Sequence, residues 1–489
     1  MSDSNPLALS LAVLAGLLLC IMSGPPRASA SGFAVYTHGA KEWGMQNNVI
    51  AHSEGPASNY HNPALITTLR GTQIEVGTTV IFPSREFKSA QTGKTEKTES
   101  QVFYPSTLFV TPLRGTQIEV GTTVIFPSRE FKSAQTGKTE KTESQVFYPS
   151  TLFVTRQLDE RFTAGLCVVS PFGLGTDWGK EWEGRYLATN SEMRTFNINL
   201  NIAWKLSDKL AVAGGLDLML LDAMLEKNIN SQISLAANLA AKGAPTDLAA
   251  GLADVQQKFE GDGEGLGYNL GLVYRPAENW SFGASYRSGI DVDVDGKAEF
   301  EHTTSQNVYI NRTLRTLFPE TDVSTRINLP PQLFAGSCYK GVYRLTVELG
   351  ARWEGWSCYK ELSFKFDQPV GGTRTPPPDE KNWEDVISYS IGAKYDLDDT
   401  FAILGGYRFD NSPVPDDTFE PAIPSSDKHC ISFGVKKRFG NFIAGVSYYY
   451  ERYESRKKNN KLGAEWGETA NGEYNTEAHI AAVSVSYGF

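Results

Sequence analysis

The stretch Thr195 to Leu206, "TFNINLNIAWKL", sorts its side chains by parity. Phe196, Ile198, Leu200, Ile202, Trp204 and Leu206 share one face of an extended chain, and Asn197, Asn199, Asn201, Ala203 and Lys205 share the other. A period of two is the signature of a β-strand with one apolar side. The pattern returns in "RLTVELGARW" (344–353) and "SYSIGAKYDL" (388–397). A soluble sandwich also alternates. Two features point instead to a wall that crosses a bilayer. The segments run to about ten residues, the length of a tilted crossing. Aromatic residues such as Trp204, Tyr274, Trp280, Tyr286 and Trp353 gather at segment ends, where a barrel places its interfacial girdles. In hydrocarbon every backbone group must be paired, so such a sheet has to close. The expected fold class is therefore all-β, a transmembrane antiparallel β-barrel.

The rest of the chain is consistent with this. Short turns such as "SDK", "PAEN", "YKGV", "DLDD" and "RFGN" alternate with long polar connections, the asymmetry of outer-membrane barrels. No run of about 20 apolar residues follows the N-terminus, which excludes helical spans. That terminus carries an apolar core, Leu7 to Met22, and small residues at Ala28-Ser29-Ala30, so residues 1–30 read as an export signal. The net charge of −10 argues against nucleic acid as a partner. Cys167, Cys338, Cys358 and Cys430 match no zinc or redox spacing.

One feature is unusual. Residues 69–111 recur without substitution at 113–155. Each copy reads as strand, polar loop, strand. Solenoid units drift apart, so identity on this scale indicates a recent duplication or an assembly error in the sequence. Sixteen candidate strands can be placed, and fourteen without the second copy. An added hairpin adds two strands and preserves the even count.

Several stretches together resemble the long-chain fatty-acid transporter (FadL) family, which includes toluene and xylene transporters. They are "SGFAVYTHGAKEWGM", the Asn62-Pro63-Ala64 triplet in "NPALITTL", "PFGLGTDWGKEWEGRY", "GYNLGLVYRPAENWSFGASYRSGIDVDVDG" and "NSPVPDDTFEPAIPSSDKHCISFG". The closing "HIAAVSVSYGF" is similar to the C-terminal signal read by the barrel-assembly machinery. The resemblance implies a fourteen-stranded barrel, residues 69–489 here, with 31–68 as a hatch in the lumen that includes Phe33, Asn62, Pro63 and Ala64. Sixteen strands are expected in this chain through the repeat. The resemblance also implies an inward kink in the third family strand. Here Pro171 cannot donate to a ladder and Gly173 weakens one, so Ser170, Pro171, Phe172 and Gly173 mark either a lateral opening or a plain strand end.

The cargo implied is a hydrophobic small molecule released sideways into outer-membrane lipid by a monomer that needs no cofactor. Ile233, Leu235, Leu239, Leu248 and Leu252 recur at helical spacing within 229–258 and form a candidate external groove. A carboxylate cargo would need a cation at the end of an apolar pocket. Lys205, Arg344, Arg352, Lys394 and Arg408 are the candidates. Two other functions compete. A general diffusion porin would lack a hatch. An outer-membrane lipase would need a triad from His429 with Ser432, or His479 with Ser484, and no third group is evident. "DVDVDG" (291–296) begins like a calcium loop but has His302 at the twelfth position.

Overall fold

The computed structural model describes residues 32–34, 40–69, 73–89, 95–99, 116–125, 128–132, 139–141, 150–302, 304–440, 442–466 and 469–488, with backbone alone along 73–152 and 484–488. The export signal lies outside the described residues. Among the described residues fifteen strands make up the wall. They are β1 (Gln73–Ser89), β2 (Thr116–Ile125), β3 (Ser150–Gln157), β4 (Phe162–Val169), β5 (Asn190–Lys205), β6 (Leu210–Ile229), β7 (Val255–Ala277) and β8 (Trp280–Arg287). They continue with β9 (Gln332–Val342), β10 (Leu345–Glu354), β11 (Val386–Asp396), β12 (Phe401–Asp410), β13 (Lys428–Phe439), β14 (Phe442–Tyr453) and β15 (Gly472–Gly488).

From β2 onward each strand pairs antiparallel with the next. β15 then pairs antiparallel with β1 along its whole length, from Gln73 opposite Gly488 to Ser89 opposite Gly472. The circuit is completed by β1 and β2. These are the two copies of one sequence, and they lie parallel and in register, Ile74 beside Ile118 and Ile81 beside Ile125. Both copies carry the same edge, fitted to the place between β15 and β3, and both occupy it. The remaining strand candidate of the repeat, 101–111, lies outside the described residues.

The alternation is inverted relative to a soluble protein. In β5 the polar positions Asn197, Asn199 and Asn201 are buried, while Leu200 is 63% exposed. Leu216 in β6 and Leu266 in β7 are 70% and 78% exposed. The apolar side faces out, as lipid requires, and the polar side faces in. Among the described residues no helix is long and apolar enough to cross a membrane.

The lumen is filled by the chain's own N-terminal part. From Lys41 to Ile66 every residue except Ser53 and Glu54 is buried. This segment contains the one-turn helices Ala40–Trp43 and Ser58–His61 and the 3-10 helix Pro63–Thr68. At the end with long connections, the strands Ile290–Glu301 and Thr321–Leu329 pair with each other, and the first also pairs with the outer half of β7. The glycines of "GDGEGLG" lie in β7 beside Ile290–Glu301, where a Cβ on Gly261 would come within 2.7 Å of the Asp295 carbonyl oxygen.

Candidate functional site

The Asn62-Pro63-Ala64 triplet is a joint between hatch and wall. Asn62 caps the 3-10 helix, its Oδ1 accepting from the Ala64 N–H at 3.1 Å. Its Nδ2 donates to the Ile50 carbonyl at 2.8 Å and to the Leu272 carbonyl of β7 at 2.9 Å. Pro63 fills the first helical position, where a missing N–H costs nothing. A second joint centres on Glu348 of β10. Its carboxylate accepts from the N–H groups of Ile50 at 2.6 Å, Ala51 at 3.0 Å and His52 at 3.2 Å, and it also meets the His52 ring. Nearby, Glu54 pairs with Lys394 at 2.5 Å and Lys436 at 3.0 Å. His52, Cys338 and Glu348 hold ligand-type atoms within 4.8 Å of one another. The hydrogen bonds already converging on Glu348 account for that cluster as a seat for the hatch.

Above the hatch lies a cavity with about 1110 Å³ of empty space, part of it open to solvent. Its wall is largely apolar and includes Phe33, Leu174, Met193, Leu225, Phe259 and Ile327. Phe33 is the hub of the aromatic floor. Its ring centroid lies 4.7 Å from Trp356, 5.5 Å from Trp383, 5.9 Å from Tyr359 and 6.1 Å from Phe172. Burial pushes the Tyr359 phenol up to about 12.

The cavity touches the irregular stretch after β4. The ladder between β4 and β5 stops at Val169 opposite Asn197 and resumes at Gly173 opposite Arg194. Ser170, Pro171 and Phe172 therefore face only Thr195 and Phe196, so one extra residue bulges here. Phe172 turns inward and is buried, its N–H donating to Thr195 Oγ1 at 3.1 Å. The N-terminal segment binds the same place. The Gly173 N–H donates to the Phe33 carbonyl at 2.9 Å, and Ala34 bridges Phe172. On the other side, β3 accompanies β4 only as far as Leu152 opposite Val168.

None of the five sequence candidates for a ligand cation lines this cavity. Lys205 pairs with Asp208 at 2.7 Å and Arg344 donates to the Leu397 carbonyl at 2.6 Å, both at turns. Arg352 and Arg408 are buried beside Asp410, at 3.1 Å and 2.9 Å. Lys394 holds Glu54 of the hatch. The buried cation on the cavity wall is Lys381, only 3% exposed. It donates to Asp379 Oδ2 at 2.7 Å and to Glu420. Burial opposes its charge, but Glu420 and Asp379 outweigh burial and hold the ammonium protonated. Burial pushes the Glu420 carboxyl up, with Lys381 opposing that shift and Asp379 adding to it. No pattern in "DEKNWED" signals Lys381, because its main partner stands in another connection.

The candidate groove residues divide. Leu235 and Leu239 of the helix Ser231–Ala241 are fully buried with Ile310 and Leu314 of the helix Val308–Leu317. Leu252 packs against the same cluster, and Ile233 and Leu248 stay exposed. The helical spacing at Leu248 and Leu252 corresponds to no helix beyond one 3-10 turn, Thr246–Ala249, and β7 begins at Val255. Gly243 at positive φ and Pro245 break the run. His429 reaches outward to Tyr407 at 2.8 Å, while Ser432 is buried and donates to the Gly44 carbonyl at 3.0 Å. The two lie on opposite faces of β13 and cannot form a nucleophile and base. The aspartates of "DVDVDG" lie along a strand, with Asp293 pairing Arg326 at 2.6 Å and Asp291 accepting from Asn328 at 2.6 Å.

A closed wall with an apolar exterior, a lumen filled by the N-terminal segment and an apolar cavity above it define a plugged transmembrane β-barrel. The chain belongs to the family described as outer membrane protein transport protein (OMPP1/FadL/TodX), whose model matches residues 21–489. It is 24% identical over 307 residues to the long-chain fatty acid transport protein of Escherichia coli O6:H1, an alignment covering 60% of this chain and 67% of the relative. To outer membrane protein P1 of Haemophilus influenzae it is 21% identical, covering 68% and 73%. Among solved structures, a FadL homologue of Pseudomonas aeruginosa superimposes with a TM-score of 0.71 at 18% identity, covering 94% of this chain and all of the other. The toluene transporter TodX of Pseudomonas putida gives 0.64 at 20% identity, covering 94% and 99%. The protein is a multi-pass protein of the Gram-negative outer membrane.

Proposed function

We propose that this barrel carries hydrophobic small molecules into the outer membrane by passive diffusion, with no covalent chemistry. Cargo enters from the long-connection end, settles in the cavity above the hatch, and leaves sideways beside the bulge at Ser170–Gly173. The observation that carries this reading is the apolar cavity itself, set in a barrel whose inner face is otherwise polar and occupied by the hatch. An acyl chain gains about 0.8 kcal/mol for each CH₂ it buries. A route that stays in apolar surroundings therefore avoids a large barrier, and a sideways exit keeps to that route. Phe33 joins cavity to exit, because it forms the cavity floor and its carbonyl holds Gly173.

The bulge supplies the test. Deleting Pro171 leaves two residues opposite two, so the β4–β5 ladder can run on without a break. Uptake of a radiolabelled hydrophobic compound by cells making this variant is expected to fall to the level of cells without the protein, while the barrel keeps its heat-modifiable migration in electrophoresis. Undiminished uptake by the folded variant would sink the sideways route.

A further inference from the structure

We infer that Asp379 and Glu420 make the cavity reject carboxylates, so that its cargo is uncharged. This deepens the proposed function and rests on it. A buried ammonium at the end of an apolar pocket is what a fatty acid's carboxylate would seek. Here that position is already filled. Lys381 spends its donors on Asp379 at 2.7 Å and on Glu420. Both acids reach it from connections between wall strands, Asp379 from the short strand Asp379–Glu380 in its own connection and Glu420 from the one between β12 and β13.

The charge count decides between the two cargo classes. With both acids ionised the centre carries one net negative charge. With Glu420 protonated, the direction in which burial pushes it, the centre is neutral. In neither state is it positive. The rest of the wall does not reverse this. Lys227 is the other ammonium on the cavity, and Glu192, Glu226 and Glu260 are the other carboxylates. Glu192 is paired with Arg194 at 2.9 Å and Glu260 with Lys258. With those two partners included, four cationic groups still face five carboxylates. A carboxylate entering this cavity would lose its hydration, find Lys381 already paired and face more carboxylates than cations, whereas an uncharged molecule of the same shape loses nothing comparable.

The test uses the full-length protein in lipid nanodiscs and two radiolabelled probes with one acyl chain, dodecanoate and methyl dodecanoate, at neutral pH. The wild type is expected to bind the ester at least ~10-fold more tightly than the acid. The double variant Asp379→Asn, Glu420→Gln frees the ammonium, so its affinity for dodecanoate should rise by ~10-fold or more with little change for the ester. Adding Lys381→Met should abolish that gain. Heat-modifiable migration establishes that each variant is folded. Equal binding of acid and ester by the wild type overturns the inference and leaves the transport reading intact. So does a folded double variant that gains no affinity for the acid. Failure of the wild type to bind either probe overturns the transport reading and the inference together.

Discussion

Glu348 shows how much one side chain can hold. It is fully buried, and three consecutive hatch N–H groups, those of Ile50, Ala51 and His52, end on its two oxygens. Such groups left unpaired away from water cost about 1–3 kcal/mol each. Glu348→Ala should therefore unseat this turn of the hatch while leaving the wall intact. Amide exchange across residues 45–62 is expected to accelerate by at least ~100-fold, with the exchange of β10 and β11 largely unchanged. Unchanged protection of the hatch would mean that packing alone seats it. Alanine at Gly283 approaches the same joint from the other side, because its Cβ would overlap the Ile50 carbonyl. Neither contact could be read from the sequence. Glu348 stands in an alternating strand like any lumen residue, and its partners lie some 300 positions away. Asn62-Pro63-Ala64 was found through the family resemblance alone; the cap it makes is local, but its bonds to Ile50 and Leu272 are not. The Lys381 centre was not legible for the same reason as Glu348, since Glu420 is 39 residues further along the chain.

At the scale of elements, strands were the most legible part. Alternation in "TFNINLNIAWKL" is a local property and needs no partner to be seen. An interruption after β4 was also visible, because a proline and two glycines break a strand pattern in "PFGLG", but whether it opened the wall, ended the strand or bulged was not. Helical spacing in 229–258 was right for Ser231–Ala241 and failed beyond it, where a few leucines at the right intervals do not outweigh Gly243 and Pro245. The repeat was legible as a unit but its pairing was not. Two identical strands have identical claims on β15 and β3, and periodicity cannot say which of them wins. In the fold they share the position and pair parallel, the one exception to an otherwise antiparallel circuit of described strands. Removing Leu69–Pro112 leaves one copy to meet β15 and β3 together. This shortened chain should assemble as a fourteen-stranded, wholly antiparallel barrel, heat-modifiable and active in uptake. If it fails to assemble, the removed copy is an integral part of this wall.

At the scale of the whole molecule, the inverted burial pattern separates two structures that share one cylinder. The wall holds itself together by its ladders and by ion pairs within its inner face, such as Arg352 and Arg408 on Asp410 at 3.1 Å and 2.9 Å. The hatch adds contacts to that face but completes none of the described ladders. Deleting residues 31–68 should therefore leave a barrel that still folds into membranes. Its lumen would then be lined by Asn197, Asn199, Asn201, Arg352 and Asp410, all of them buried while the hatch is present. Such a surface admits water and small polar solutes. Liposomes containing the deleted form should swell in small sugars, and those containing the intact chain should not. Swelling by the intact chain would favour an open diffusion pore, because it would mean that the hatch does not seal. A deleted form that cannot assemble would show that the wall needs its filling, and that the two structures fold as one.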